Sequence, residues 1–184
     1  GTKKSVIRDF NKNGGRVINS MINSSKGLEL VNGVIESKDN VHISISNEYK
    51  SDRVGDTKAT SENYAMIDGK VEKVNEDFSV TIYEGTIDKI LNGSIEETNS
   101  NGESRKKMWD ANNLNYEEII GTIGGHEFYH VLNDMGGGKV TPEEHKNAES
   151  VEKIKNYYLK KLVINAIKKK KQQLLQSKTN QKFS

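Results

Sequence analysis

The sequence predicts an α+β protein: a small twisted, mainly antiparallel sheet, followed by a central helix and a long C-terminal helix. Three observations carry this prediction. Apolar residues alternate at period two in patches between residues 27 and 87. Apolar stripes at helical spacing take over from residue 116. The strand signals come first and the helix signals second, which argues against an alternating parallel α/β layout. One domain spanning 1–184 is expected, because 184 residues suffice for a single genuine core.

Taken in order, residues 1–26 read as a lead-in of short helical pieces, with Gly14-Gly15 as a break. A sheet region is expected over 27–91. Leu28, Leu30, Val34, Ile35, Val41, Ile43 and Ile45 form period-two patches there, with Asn32-Gly33 and Asp39-Asn40 as hairpin turns. The Ser/Asp/Thr/Gly-rich run 51–62 reads as a loop, and Asp68-Gly69 as the turn of a hairpin within 64–74. Phe78-Ser-Val-Thr-Ile-Tyr83 alternates cleanly and is the strongest strand. Residues 92–114 are read as a polar loop, anchored to the core by Trp109 and Met108.

Helices are expected over 115–176. Asn115 is a suitable N-cap for a helix from Tyr116 to about Asp134, with Glu117 and Glu118 at the positive end of its dipole. Gly136-Gly137-Gly138 ends it, and Thr141-Pro-Glu-Glu144 has the composition of a second helix start. Residues 177–184 form a basic tail.

Charge is unevenly distributed. Ten lysines and no acidic residue follow Glu152, whereas residues 1–152 are acid-rich. A lysine-bearing solvated helix face accounts for the basic end, and no nucleic-acid partner is expected. No apolar run approaches the roughly 20 residues of a membrane-spanning helix. Cysteine is absent, so disulfides are excluded and any metal must be held by nitrogen and oxygen donors.

The chemistry concentrates in Gly124-Gly-His126-Glu127-Phe-Tyr-His130, a His-Glu-x-x-His sequence inside the predicted central helix. At 100° per residue, positions four apart lie on one face, so both imidazoles can grip one ion. Glu127 beside the first histidine suits the general base of a zinc hydrolase. The expected cofactor is therefore Zn2+, held by His126, His130 and a third ligand from the next helix. His145 and Glu149 are the two candidates, one turn apart; the expected set takes His145. Tyr129 is expected to pack, His42 to face away from the core on its strand, and Tyr157 or Tyr158 to be core residues or oxyanion donors. Asn133-Asp134-Met-Gly-Gly-Gly138 lacks phosphate-loop spacing and reads as a helix stop.

The stretch 117–158, with Glu-Ile-Ile-Gly-Thr-Ile-Gly-Gly-His-Glu-Phe-Tyr-His at its heart, resembles the zinc metallopeptidase domains at the C-termini of RHS-repeat and related polymorphic toxins. About 40 of the 184 residues carry the likeness. The family places a metal-binding Glu on the second helix and a further Glu about seven residues later. Those positions fall on His145 and Glu152, so this chain has His where the family more often has Glu. The resemblance implies a zincin fold, peptide-bond hydrolysis, a protein or peptide substrate, a neutralising partner protein, and export as the C-terminal part of a larger protein. The start at Gly1 fits such a trimmed piece. Two rival expectations stand beside it. One is a non-catalytic binding module whose metal is structural or vestigial. The other is a zinc hydrolase of another amide, such as one in a cell wall, for which Trp109 lining a shallow cleft would be the hint.

Overall fold

In the computed structural model, residues 6–9, 14–99, 101–133, 172, 173 and 176 are described. The order is β1 (Val6–Asp9), α1 (Gly14–Ile22), α2 (Ser25–Ser37), β2 (Asn40–Ser46), β3 (Gly55–Ile67), β4 (Lys70–Tyr83), α3 (Glu84–Leu91), α4 (Arg105–Ala111) and α5 (Tyr116–Leu132). The α+β class holds. The sheet has four strands in the order β1-β2-β4-β3.

The expectation of a mainly antiparallel sheet is corrected. β1 pairs with β2 and β2 with β4 in parallel; only the β3–β4 pair is antiparallel. The physical reason lies in α2. Residues 27–37 form a helix rather than strands around an Asn32-Gly33 turn. Gly27, Leu30, Val31 and Val34 are its buried residues, a three- and four-residue stripe that also mimics alternation when Leu28 is counted. Leu28 and Ile35 point outward instead, at 45% and 43% exposure. Ser24 caps this helix by accepting from the Gly27 amide at 2.7 Å. Gly33 faces α5, where a Cβ would meet Leu132 Cδ1 at 3.1 Å, so the glycine serves helix packing rather than a turn. Two helices between β1 and β2 supply the crossover that a parallel pair requires.

Four other stretches differ from expectation. Gly14-Gly15 opens α1 instead of breaking it, and the lead-in also contains strand β1. Residues 84–91 are helix α3 rather than sheet, and the 92–114 loop contains α4. The 51–62 segment gives all but its first four residues to β3.

The hairpin turn at Asp68-Gly69 is as expected, with both residues at positive φ, 49° and 78°. That is the backbone twist preferred by two-residue hairpins. On β2 and the part of β4 that pairs with it, every second residue is buried: Val41, Ile43 and Ile45 stand opposite Phe78, Val80 and Ile82. The other face carries polar side chains such as His42, Ser44, Ser79 and Thr81, half-buried. Among the described residues the helices cover the apolar face, and polar side chains on the other face give these parallel strands the alternation usual in antiparallel sheets. β4 past its junction with β2 continues with β3 as a two-stranded ribbon over 61–67 and 70–76.

Candidate metal centre

Helix α5 carries the His-Glu-x-x-His sequence, and its seat explains why the residues converge. Asn115 and Glu118 form a reciprocal capping box. The Asn115 side chain accepts from the Glu118 amide at 2.8 Å, and the Asn115 amide donates to Glu118 Oε2 at 3.3 Å. Beyond its first turn the helix is buried almost all round, with α1 and α2 on one side and β3 and β4 on the other. Gly121 and Gly124 let α1 approach closely: a Cβ on Gly124 would lie 2.5 Å from Val17 Cγ1, and one on Gly121 would lie 3.0 Å from Ser20 Cβ. A side chain at Gly124 would force Val17 to move, and one at Gly121 would press on the Ser20 backbone.

His126 and His130 are 5% and 6% exposed, and Glu127 is 5% exposed, among Ile123, Phe128 and Val131. Three ionisable side chains in one buried turn are costly unless they are used or well partnered. The Nε2 atoms of His126 and His130 lie 2.9 Å apart, with ring centroids 4.7 Å apart and planes at 68°. Tetrahedral zinc with bonds near 2.05 Å needs about 3.3 Å between two nitrogens, so a shift of a few tenths of an ångström suits the pair to it. The donor set fits zinc.

Glu127 points to β3. Its Oε2 accepts from Thr57 Oγ1 at 2.5 Å, and Thr57 Oγ1 also lies 3.2 Å from the main-chain carbonyl oxygen of Glu127. A Cβ on Gly55 would lie 2.7 Å from Glu127 Oε1 and 2.9 Å from Ile123 Cγ2. Gly55, Thr57 and Ala59 stand opposite Ile82, Val80 and Phe78, so β3 offers only small side chains on the face toward α5. That leaves the carboxylate its space.

The structure thus brings His126, Glu127 and His130 together. His145 and Glu149, the candidates for third ligand, lie outside the described residues, as do Glu143, Glu144, Glu152, Tyr157 and Tyr158. Among the described residues no group of three His, Cys, Asp or Glu side chains forms a complete metal set. Tyr129 is half-buried against the core, in keeping with a packing role. His42 is half-buried on the polar face of β2, away from the core side that α5 covers. Trp109 is 1% exposed within the core, so it anchors α4 and lines no cleft.

Thr57 and Gly55 were not anticipated, since both fall in the run read as a loop. One sequence signal could have found them. Counting outward from the Asp68-Gly69 turn pairs Thr57 with Val80 and Gly55 with Ile82, which is the observed register because two irregularities along the ribbon cancel.

Comparison with protein-family models, curated proteins and solved structures finds no match to this chain. No helix among the described residues is long and apolar enough to cross a membrane.

Proposed function

We propose that this chain is a zincin-like zinc metallopeptidase that hydrolyses peptide bonds, with His126 and His130 as ligands and Glu127 as general base. The observation that carries the proposal is the buried convergence of two Nε2 atoms 2.9 Å apart beside a carboxylate on the next residue. The third ligand comes from the segment after α5, from His145 or Glu149. Bound zinc would supply a Lewis acid that brings the pKa of a water toward neutrality. Glu127 then takes the proton of the attacking water and returns one to the leaving amine. Its confinement against β3 keeps the acceptor oxygen oriented and away from bulk water.

Strand β4 has β2 on one edge and β3 on the other, so it has no open edge for a substrate strand. Among the described residues β3 ends the sheet. The Tyr83 amide donates to the Val54 carbonyl at 2.8 Å, so by alternation Gly55, Thr57 and Ala59 direct their amides and carbonyls outward. A peptide added along that edge would run past Glu127. The toxin-like setting, with export as part of a larger protein and a neutralising partner, belongs to the same proposal.

The test is elemental analysis combined with hydrolysis of a fluorogenic peptide library. Expected are one zinc per chain in the wild type, loss of zinc in His126→Ala, and loss in one of His145→Ala or Glu149→Ala. Glu127→Gln should keep zinc and lose about two to four orders of magnitude in rate. Zinc without hydrolysis would move the reading to a binding module with a structural metal. No zinc after loading would leave a binding module whose metal site is vestigial.

A further inference from the structure

We propose that Thr57 is a positioning residue for Glu127, and that Gly55 completes the seat, so that the edge strand β3 fixes the orientation of the general base. The inference rests on Glu127 being that base. Its support is geometric. Oε2 is held by the Thr57 hydroxyl at 2.5 Å, while Oε1 sits over Gly55 where a Cβ would come within 2.7 Å. The two carboxylate oxygens are therefore distinguished by two residues of one strand. With Oε2 accepting from the Thr57 hydroxyl, the carboxylate is fixed in the orientation in which it takes the water's proton. The same hydroxyl lies 3.2 Å from the Glu127 carbonyl, the alternative acceptor for its single proton. Both partners are about 70 residues from Glu127 in sequence, so only the fold brings them together.

A threonine here could serve packing alone, and the experiment must separate that role from positioning. Thr57→Val keeps the shape and removes the hydroxyl; Thr57→Ser keeps the hydroxyl and removes a methyl group. Each is made in the full chain, alone and with Glu127→Gln. Three readouts are taken: zinc per chain with melting temperature, the carboxyl-carbon NMR signal of Glu127 in metal-free protein, and kcat and KM on a cleaved peptide.

The expected result is that Thr57→Val moves the Glu127 carboxyl signal and lowers kcat by about 10- to 100-fold, the penalty typical of a misoriented catalytic group. KM and zinc content stay within about twofold of wild type, as expected when only an interaction specific to the transition state is lost. Thr57→Ser keeps the signal in place and retains most of kcat, and Thr57→Val has no further effect once Glu127 is Gln. An unmoved carboxyl signal in Thr57→Val overturns the proposal. So does unchanged kcat, or a Thr57→Ser variant as slow as Thr57→Val at equal melting temperature. If the wild-type chain cleaves no peptide, the peptidase reading fails, while the metal-free NMR comparison still decides whether Thr57 orients Glu127.

Discussion

At the scale of single residues, Asp77 shows how polar groups pin the edge of this sheet. Its carboxylate accepts from Asn40 Nδ2 at 2.6 Å, Ser61 Oγ at 2.7 Å and Asn63 Nδ2 at 3.1 Å, joining β2, β3 and β4 where the ribbon leaves the sheet. The hydrogen bond from Asn40, then that from Ser61, hold its pKa below the ordinary aspartate value. A depressed folded-state pKa contributes stability that is present above the unfolded value, about 3.9, and lost as pH falls through the folded one. Asp77→Asn should therefore be less stable than wild type at pH 7, by about 1–2 kcal/mol for lost charge-assisted bonds. The gap between the two melting temperatures should close below about pH 4. A gap that is the same at pH 7 and pH 3 would mean the charge is not what matters. Asp77 was legible only as one of many acidic residues; its partners lie 37, 16 and 14 residues away. The same distance hid Thr57 and Gly55, whereas His126, Glu127 and His130 were legible because one helical turn holds all three.

At the scale of elements, α5 was the most readable part of the chain because its signals are local. Asn115 and Glu118 sit three residues apart, and the capping box they predict is the one observed. Asn115→Ala should cost about 1 kcal/mol in chemical denaturation. Zinc affinity should change little, since the histidines lie more than two turns further along. Gly124→Val should be far worse: its branched side chain would meet Val17, itself stiff and buried, and overpacking of this kind costs typically 1–3 kcal/mol or more. If Gly124→Val were as stable as wild type, the close approach of α1 to α5 would be wrong. α2 was misread for the opposite reason. A helix whose buried stripe is Leu30, Val31 and Val34, with Leu28 and Ile35 left outside, looks extended to any test of alternation. What decides it is the Ser24 cap and the packing of Gly33 on Leu132, and the second of these is tertiary.

At the scale of the whole molecule, the helices and sheet are tied together around α5. Arg16 on α1 donates to Glu84 on α3 at 2.9 Å and to Glu117 on α5 at 2.6 Å. Exposed pairs of this kind contribute about 0–1 kcal/mol and weaken with salt, so they orient rather than hold the fold. The larger lever is metal. If His126 and His130 bind zinc in the folded chain alone, zinc at a hundred times its Kd should stabilise the protein by about 2.7 kcal/mol. The melting temperature should then rise with zinc in the wild type and stay flat in the doubly substituted His126→Ala, His130→Ala chain. An equal rise in both would place the binding elsewhere. The α+β class could be read from the sequence, but the strand directions could not. The β1–β2 pairing depends on the helices between them and the β2–β4 pairing on β3 lying on the far edge of β4, and the polar face of the sheet gave its strands an antiparallel look.

The tight approach of α1 and β3 to α5 also has a consequence for mutational tolerance. A Cβ would come within 2.5 Å of Val17 at Gly124 and 3.0 Å of Ser20 at Gly121 on one flank of the helix, and within 2.9 Å of Ile123 Cγ2 at Gly55 on the other. In a saturation screen scored by activity, these three positions should be depleted about as strongly as His126 or Glu127, though none of them binds metal or moves a proton. Such a screen would draw a functional centre wider than the chemistry, with glycines at its rim. Scoring the same library for folded abundance would peel them away: the glycine variants should vanish from the folded pool, while Glu127→Gln stays in it.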